Sequence, residues 1–276
     1  MTSIKGKYVL LTGGSRGIGP IIAEALAARG ANIALAARSQ EGLQKLANKL
    51  SEFGTKTMIV PVDLSQISQQ QSLVETVMNK FGRIDILINN AGLETEGAYL
   101  DLSWEAIQKT VEVNLLAPMS LTHLVLPVMI TQKSGHILNI ASVAAKIGAP
   151  YAATYSGTKA GLAEWTRGLR LELQGSGVHF STILPGYINE VGMFAKFQIK
   201  SPSLLGSTSP SKVASAVVKA IEKDKLELFV NSSPARMLSV ACELSPSFGD
   251  WLKRVLGVVD FQRQKVGKNC DLEFKN

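Results

Sequence analysis

Residues 7–28 read KYVLLTGGSRGIGPIIAEALAA, and this stretch decides the fold. Residues 7–12 predict a buried β-strand, and apolar residues at helical spacing from Ile21 to Ala28 predict a helix soon after it. The glycines between them allow a tight turn and let a pyrophosphate approach backbone N–H groups at the helix N-terminus. A strand before the loop and a helix after it favour this interpretation over an ordinary glycine-rich turn. The expected phosphate contacts are Gly13, Ser15, Arg16, Gly17, Ile18 and Gly19.

The second predicted strand, residues 32–37, ends without an acidic residue and is followed by Arg38 and Ser39. An acid about 20 positions beyond the glycines would bind the ribose 2′-hydroxyl of NAD, whereas an arginine suits the 2′-phosphate of NADP. Arg16, inside the loop, is placed to approach the same phosphate. We therefore expect NADP(H) as the cofactor. The alternative is that both arginines are solvated surface residues.

Strand-like and helical segments alternate along the rest of the chain, which favours an α/β fold with a parallel sheet. Strands are predicted over residues 57–62, 84–88, 135–140, 178–184 and 226–230, and helices over residues 41–53, 68–81, 104–130, 155–173 and 211–221. In such sheets, ligands lie beyond the carboxyl ends of the strands. The residues that follow these ends are therefore candidate cofactor contacts: Asp63, Leu64, Asn90, Ala91, Gly92, Pro185 and Gly186.

The composition limits other possibilities. The 276 residues suit one large domain, and 46% hydrophobic but only 6% aromatic residues indicate an aliphatic core. The net charge is +7, but the lysines are dispersed, so we expect no nucleic-acid partner.

Cys242 and Cys270 lack metal or redox spacing, which predicts free thiols, no metal and a reducing compartment. Residues 111–130 are apolar but contain Glu112 and two prolines, which predicts a buried helix rather than a membrane span. The first residues show no signal-peptide pattern, so a cytoplasmic location is expected.

Tyr155 and Lys159 lie four residues apart and therefore share one face of a predicted helix. A phenol with an ordinary pKa of ~10 is a poor proton donor at neutral pH, and a neighbouring cation is expected to lower that pKa. Ser142 follows the strand at residues 135–140, where its hydroxyl is placed to share the phenol's target. Asn114, in the middle of a predicted helix, indicates either a satisfied buried amide or a local break near an active site.

These motifs occur in a fixed order: TGGSRGIG at residues 12–19, NNAG at residues 89–92, Asn114, Ser142, Tyr155 with Lys159, and Pro185 with Gly186. In this combination the chain resembles the short-chain dehydrogenase/reductase family over about residues 5–230. The resemblance implies a single-domain, doubly wound Rossmann fold with about seven parallel strands. It also implies a nicotinamide cofactor.

By this resemblance Tyr155 is the general acid/base, Ser142 orients the substrate oxygen, and Asn114 completes a proton relay. Lys159 is expected to bind the nicotinamide ribose and to acidify Tyr155. Further implied positions are a cofactor contact at Ile188 and a substrate pocket formed by Leu93, Val143, Tyr187, Met193 and Phe194. The chain departs from the family in having Glu190 where a threonine often contacts the carboxamide, which puts that contact in doubt.

The expected organisation is a catalytic domain over residues 1–233, with an apolar lid at residues 187–210, and a helical extension over residues 234–276 packed on it. The extension resembles the tails of lipid and steroid members of the family. It carries an apolar stripe at helical spacing, formed by Phe248, Trp251, Leu252, Val255, Leu256 and Val259. Three roles are open for this stripe: packing on the core or on a partner subunit, walling the substrate cleft, or resting on a membrane surface.

The function that we expect is reversible, NADPH-dependent reduction of a hydrophobic ketone such as a 3-keto lipid, because apolar lids cover apolar ligands. One alternative is a 3-oxoacyl carrier-protein reductase, since the positive charge would attract an acidic carrier. Another is a non-catalytic NADP-binding regulator, and polyol and sugar dehydrogenases share the motifs. The expected partners are a small hydrophobic carbonyl compound and further copies of the chain, in a homodimer or homotetramer.

Overall fold

A parallel sheet forms the centre of the protein. The computed structural model describes residues 3–188, 190–194, 206–232 and 235–273. The strands are β1 (Tyr8–Thr12), β2 (Asn32–Ala37), β3 (Thr57–Pro61), β4 (Ile86–Asn89), β5 (Gly135–Ile140), β6 (Val178–Pro185), β7 (Tyr187–Ile188), β8 (Ser207–Thr208) and β9 (Glu227–Val230). Seven of them form one sheet in the order β3-β2-β1-β4-β5-β6-β9, with every neighbouring pair parallel. The short strands β7 and β8 pair separately.

Helices cover both faces of the sheet. They are α1 (Gly19–Ala27), α2 (Gln40–Leu50), α3 (Ile67–Phe81), α4 (Trp104–Val111), α5 (Ala117–Thr131), α6 (Ala153–Glu172), α7 (Pro210–Lys223), α8 (Ala235–Leu244), α9 (Pro246–Val255) and α10 (Val258–Glu273). Apolar residues of α1, α2 and α7 fill one buried core, and those of α3 and α5 fill the other. Burial on both faces explains why the strands read as continuous apolar runs rather than as alternating patterns.

The strand order reverses at the first strand. The chain builds outward from β1 to β3 and then returns to place β4 on the other side of β1. Such a reversal leaves a crevice beyond the carboxyl ends of the two strands, where open α/β sheets bind ligands. The predicted single-domain, doubly wound α/β fold with seven parallel strands is confirmed, and every strand and helix predicted up to Val230 has a counterpart in the structure.

Helices α4 and α5 are joined by a π-helical turn, Glu112–Leu116, into one continuous helix over Trp104–Thr131. By length and composition this helix is apolar enough to cross a membrane, but 44% of its most apolar window is buried in the protein. Leu121, Val125 and Met129 of α5 belong to the second core. The helix therefore packs on the sheet, as its sequence predicts.

The C-terminal extension forms the three helices α8, α9 and α10. Three residues of its predicted apolar stripe, Phe248, Trp251 and Val255, are exposed, with Trp251 55% accessible. Packing on the protein's own core is therefore wrong for these three, because the opposite side of α9, around Gly249, faces α8. Packing of the stripe on a partner subunit or on a membrane surface stays a prediction. The domain boundary at residue 233 and residues 195–205 of the predicted lid lie outside the described residues, so both stay predictions.

Candidate active site

The glycine loop between β1 and α1 packs so closely against its own backbone and against Ala91 that side chains would not fit at two of its positions. Gly13 has a φ of +69°, and a Cβ there would lie 2.8 Å from Ala91 Cα. A Cβ on Gly19 would lie 2.1 Å from the carbonyl oxygen of Gly13. No side chain caps the N-terminus of α1, so its first N–H groups are available to an anion. These features fit a bound phosphate group.

Asn90 anchors the floor of this loop. Its Nδ2 donates to the carbonyl oxygens of Thr12 at 2.9 Å and Gly13 at 3.1 Å, and the Thr12 hydroxyl accepts from the backbone N–H groups of Asn90 and Ala91. The Oδ1 of Asn90 is buried and has no hydrogen-bond partner within the described part of the chain. Because buried polar atoms are normally satisfied, this oxygen also fits a site that is completed by a ligand.

Two arginines line the crevice near the glycine loop and the end of β2. Arg16 and Arg38 are both exposed and line the same cavity as Ser39 and Asp63. The Asp63 carboxylate accepts hydrogen bonds from the backbone and hydroxyl of Ser65, which lower the pKa of Asp63, with a smaller contribution from Arg38. The positive charge of the arginines is therefore concentrated where the sequence predicts the 2′-phosphate.

Tyr155 and Lys159 project from the first turns of α6 towards the end of β5. The Lys159 Nζ lies 5.8 Å from the centre of the Tyr155 ring and donates to the Ile140 carbonyl oxygen at 2.8 Å. Ser142, just beyond β5, lines the same cavity as Tyr155, and its hydroxyl acts to lower the pKa of the phenol. The structure therefore brings the predicted phenol, ammonium and hydroxyl together at one strand end.

The pKa of Tyr155 is shifted in the direction opposite to the prediction. Burial raises the pKa of Tyr155 well above its ordinary value, the Glu94 carboxylate raises it further, and the Ser142 hydroxyl acts in the opposite direction. Burial also lowers the pKa of Lys159 to about 8. The expected lowering of the Tyr155 pKa by Lys159 is not what the structure gives, because loss of hydration dominates for both groups.

Asn114 lies in the π-helical turn and is fully buried. Its Oδ1 accepts from the Leu93 N–H and its Nδ2 donates to the Leu93 carbonyl oxygen, both at 2.8 Å, and also to the Thr158 hydroxyl at 3.2 Å. Both expectations for Asn114 hold, since its amide is satisfied and the helix is locally broken there. Such π-helical turns are frequent at functional sites.

One cavity of about 1030 Å³ joins these groups. Its lining includes every predicted cofactor contact except Gly19, every predicted substrate-pocket residue, and three of the four predicted catalytic residues; Asn114 lies behind it. The cavity also has lining residues that the sequence analysis missed, among them Glu94, Val258 and Gln262. Glu190 is exposed and does not line the cavity, whereas its neighbour Val191 does.

The missed residues come from a loop and from the extension. Glu94 lies two residues after Gly92, a predicted cofactor contact, and directly after Leu93, a predicted substrate-pocket residue, so its position in the sequence was a usable signal. Val258 and Gln262 belong to α10, about 70 residues beyond the last motif, and no local pattern connects them with the site. The expectation that the extension walls the cleft is met by α10 rather than by the predicted stripe.

A dinucleotide-shaped crevice beside a buried phenol and ammonium defines an oxidoreductase of the Rossmann type. Residues 7–201 match the short chain dehydrogenase family, and the chain belongs to that family. It is 42% identical over 271 residues to the ketoacyl reductase HetN of Nostoc sp. (strain PCC 7120), covering 96% of this chain and 94% of that protein.

Two solved structures share the fold. An actinorhodin polyketide ketoreductase variant with NADPH has a TM-score of 0.76 at 29% identity, covering 84% of this chain and 98% of that one. A metagenomic short-chain oxidoreductase in complex with NADP has a TM-score of 0.72 at 29% identity, covering 83% and 98%.

Proposed function

We propose that the protein is an NADPH-dependent ketoreductase that acts on a hydrophobic chain such as a 3-keto lipid. The observation that carries this proposal is the shape of the single cavity. Its lining combines the glycine loop and the two arginines with Tyr155 and with apolar side chains, among them Val143, Phe194 and Val258. The names of the similar proteins, a ketoacyl reductase and a polyketide ketoreductase with NADPH, support the same reaction class.

The proposed roles follow from the geometry. Bound NADPH supplies the hydride that is added to the carbonyl carbon. Tyr155 gives its phenolic proton to the carbonyl oxygen, so that hydride and proton together convert the ketone into a secondary alcohol. Ser142 holds the same oxygen, and Lys159 lies where it can hold the cofactor's ribose. The phenol of Tyr155 is protonated at neutral pH, which is the form that reduction needs. Because burial raises its pKa, the transfer of this proton depends on the negative charge that develops on the carbonyl oxygen as the hydride is added.

A chain-length series of 3-oxoacyl thioesters, from four to twelve carbons, tests the substrate class. Each methylene that becomes buried contributes ~0.8 kcal/mol, so kcat/KM with NADPH should rise about fourfold for each carbon that enters the cavity. A four-carbon ketose of similar size serves as the polar control. Equal efficiency along the series, or a preference for the ketose, would exclude the lipid-like substrate and favour a sugar or polyol dehydrogenase.

The carrier-protein alternative rests on the net charge of +7. An acidic carrier would be steered to this surface, and that effect weakens as salt screens the charges. The test compares kcat/KM for carrier-bound and free thioesters at low and high salt. If an acidic carrier is the substrate, kcat/KM for the carrier-bound thioester should fall at high salt, whereas that for the free thioester should not. Absence of turnover with every carbonyl, despite tight NADPH binding, would instead favour a non-catalytic regulator.

We also propose that the protein is a cytoplasmic homodimer or homotetramer. Trp104, Leu116 and Ile130 expose apolar side chains along one helix, which supports self-association there.

The exposed Phe248, Trp251 and Val255 support peripheral contact of α9 with a membrane surface. Light scattering tests the assembly, and co-sedimentation with anionic vesicles tests the membrane contact.

A further inference from the structure

A buried lysine fastens the C-terminal helix to the active-site loop. Lys265 of α10 is only 1% exposed, yet it carries an ammonium group. Its Nζ donates to Glu94 Oε1 at 2.9 Å and makes a still closer ion pair with Glu96. Both carboxylates belong to the loop that follows the NNAG motif, and Glu96 is only 3% exposed.

Aromatic rings complete the surroundings of this charge. The Lys265 Nζ lies 5.8 Å from the ring centre of Tyr187 and 5.6 Å from that of Phe194, distances at which a cation is attracted to the ring face. One turn earlier on α10, Phe261 packs against both rings, and Gln262 Nε2 donates to the Tyr187 hydroxyl at 2.8 Å. The same face of α10 therefore carries the ion pair, the aromatic contacts and the cavity wall.

The loop that receives this ion pair also holds catalytic-site residues in place. Its first residue, Leu93, makes both hydrogen bonds with the Asn114 amide, and Glu94 lines the cavity. Thr95 is hydrogen-bonded to Thr110 on α4. The loop is thus fixed to the helices behind it on one side and to Lys265 on the other.

The charges in this cluster depend on each other. Burial and the neighbouring Glu94 raise the pKa of Glu96 to about 8, while Lys265 acts to lower it. Two carboxylates so close together would repel each other without a cation between them. Removal of Lys265 takes away the ammonium that pairs with both carboxylates, which favours separation of the two segments.

We propose that Lys265 is a positioning residue for substrate specificity: its bonds to Glu94 and Glu96 hold α10 against the cavity. Lys265 acts through the wall that it holds, formed by Val258 and Gln262, and not by touching the reacting carbonyl. A long apolar chain needs this wall, whereas a short ketone that reaches only as far as Tyr155 does not. The inference rests on the proposed ketoreductase function.

The test compares Lys265→Met, which keeps the length of the side chain and removes its charge, with wild type and with Gln264→Ala. Gln264 is exposed on the same helix and serves as the control for an ordinary substitution. Loss of two to three methylene contacts, each worth about fourfold, predicts a 15- to 60-fold rise in KM for a ten-carbon 3-oxoacyl thioester. For the four-carbon thioester we expect less than a threefold change, and NADPH affinity should be unchanged.

Hydrogen exchange provides a readout that does not depend on any substrate. In Lys265→Met, the amides of residues 258–267 should exchange at least tenfold faster, while those of α1 and α6 should not change. Glu96→Gln, a milder change on the other partner, should give a smaller shift in the same direction. The double variant should be no worse than Lys265→Met alone, because Lys265→Met already removes the bond to Glu96.

The outcomes separate the two proposals. If wild type shows no chain-length preference, the ketoreductase proposal for lipid-like chains fails, while faster exchange in α10 would still establish the contact. If wild type prefers long chains and Lys265→Met keeps both that preference and slow exchange, the proposed role of Lys265 is overturned. Additive effects of the two substitutions, or equal losses for short and long thioesters, would also overturn it. If Lys265→Met does not fold, the same comparisons with Glu96→Gln decide.

Discussion

Replacement of Arg38 by serine should weaken the use of NADPH and leave the use of NADH unchanged. A hydrogen bond to a charged group is worth ~1.5–3 kcal/mol. Arg38 is exposed, so solvent screens this interaction, and we expect about 1–2 kcal/mol. At 1.4 kcal/mol per factor of ten, kcat/KM for NADPH should fall roughly 5- to 30-fold. Arg16 lines the same end of the cavity and should retain part of the preference, so wild type should prefer NADPH by about 10- to 1,000-fold.

The assay is the ratio of kcat/KM for NADPH to that for NADH, measured with one ketone at two salt concentrations. Arg167→Ser is the matched control, since Arg167 is an exposed arginine on α6 that pairs with Glu164 and does not line the cavity. The preference of wild type should shrink at high salt, and that of the Arg38 variant should shrink less. Equal losses with both cofactors in Arg38→Ser, or a wild type without preference, would refute this account of cofactor choice.

Further expectations concern the proton donor and a buried histidine. Tyr155→Phe keeps the ring and removes the hydroxyl, so reduction should fall ~10²- to 10⁴-fold while NADPH affinity stays within about twofold; more than a tenth of wild-type turnover, with chemistry rate-limiting, would contradict the assignment. Burial, and then the neighbouring His179, lowers the pKa of His136 to about 3. Below pH ~6.5 this histidine therefore binds a proton in the unfolded chain but stays unprotonated in the folded protein. Stability should therefore fall as pH drops from about 6.5 towards 3, and His136→Asn should lose about 1–2 kcal/mol less than wild type between pH 6 and pH 4.5 in urea titrations. His123→Asn, at an exposed position, is the control, and its free energy of unfolding should fall between pH 6 and pH 4.5 by as much as that of wild type. If the free energy of unfolding of His136→Asn also fell by that amount, His136 would not be the cause of the pH dependence.

The sequence by itself determined the fold and most of the cavity lining. The strand, glycine loop and helix at residues 7–28 are contiguous, and their patterns depend on spacing within a few residues. The carboxyl ends of parallel strands meet at one edge of the sheet, so Asn90, Ser142 and Gly186 could be assigned to a common crevice without coordinates. That inference needs only the element order, which the sequence displays.

Only the tertiary structure decided which groups lose their water and which helix closes the cavity. The direction of the Tyr155 pKa depends on burial and on Glu94, and neither effect follows from the spacing to Lys159. Lys265 meets Glu94 across 171 positions, and nothing in the local sequence of α10 distinguishes this buried lysine from the exposed Arg263 two positions before it. Hydration and long-range charge pairing depend on how distant segments pack, whereas helical and strand periodicity is a property of neighbouring residues.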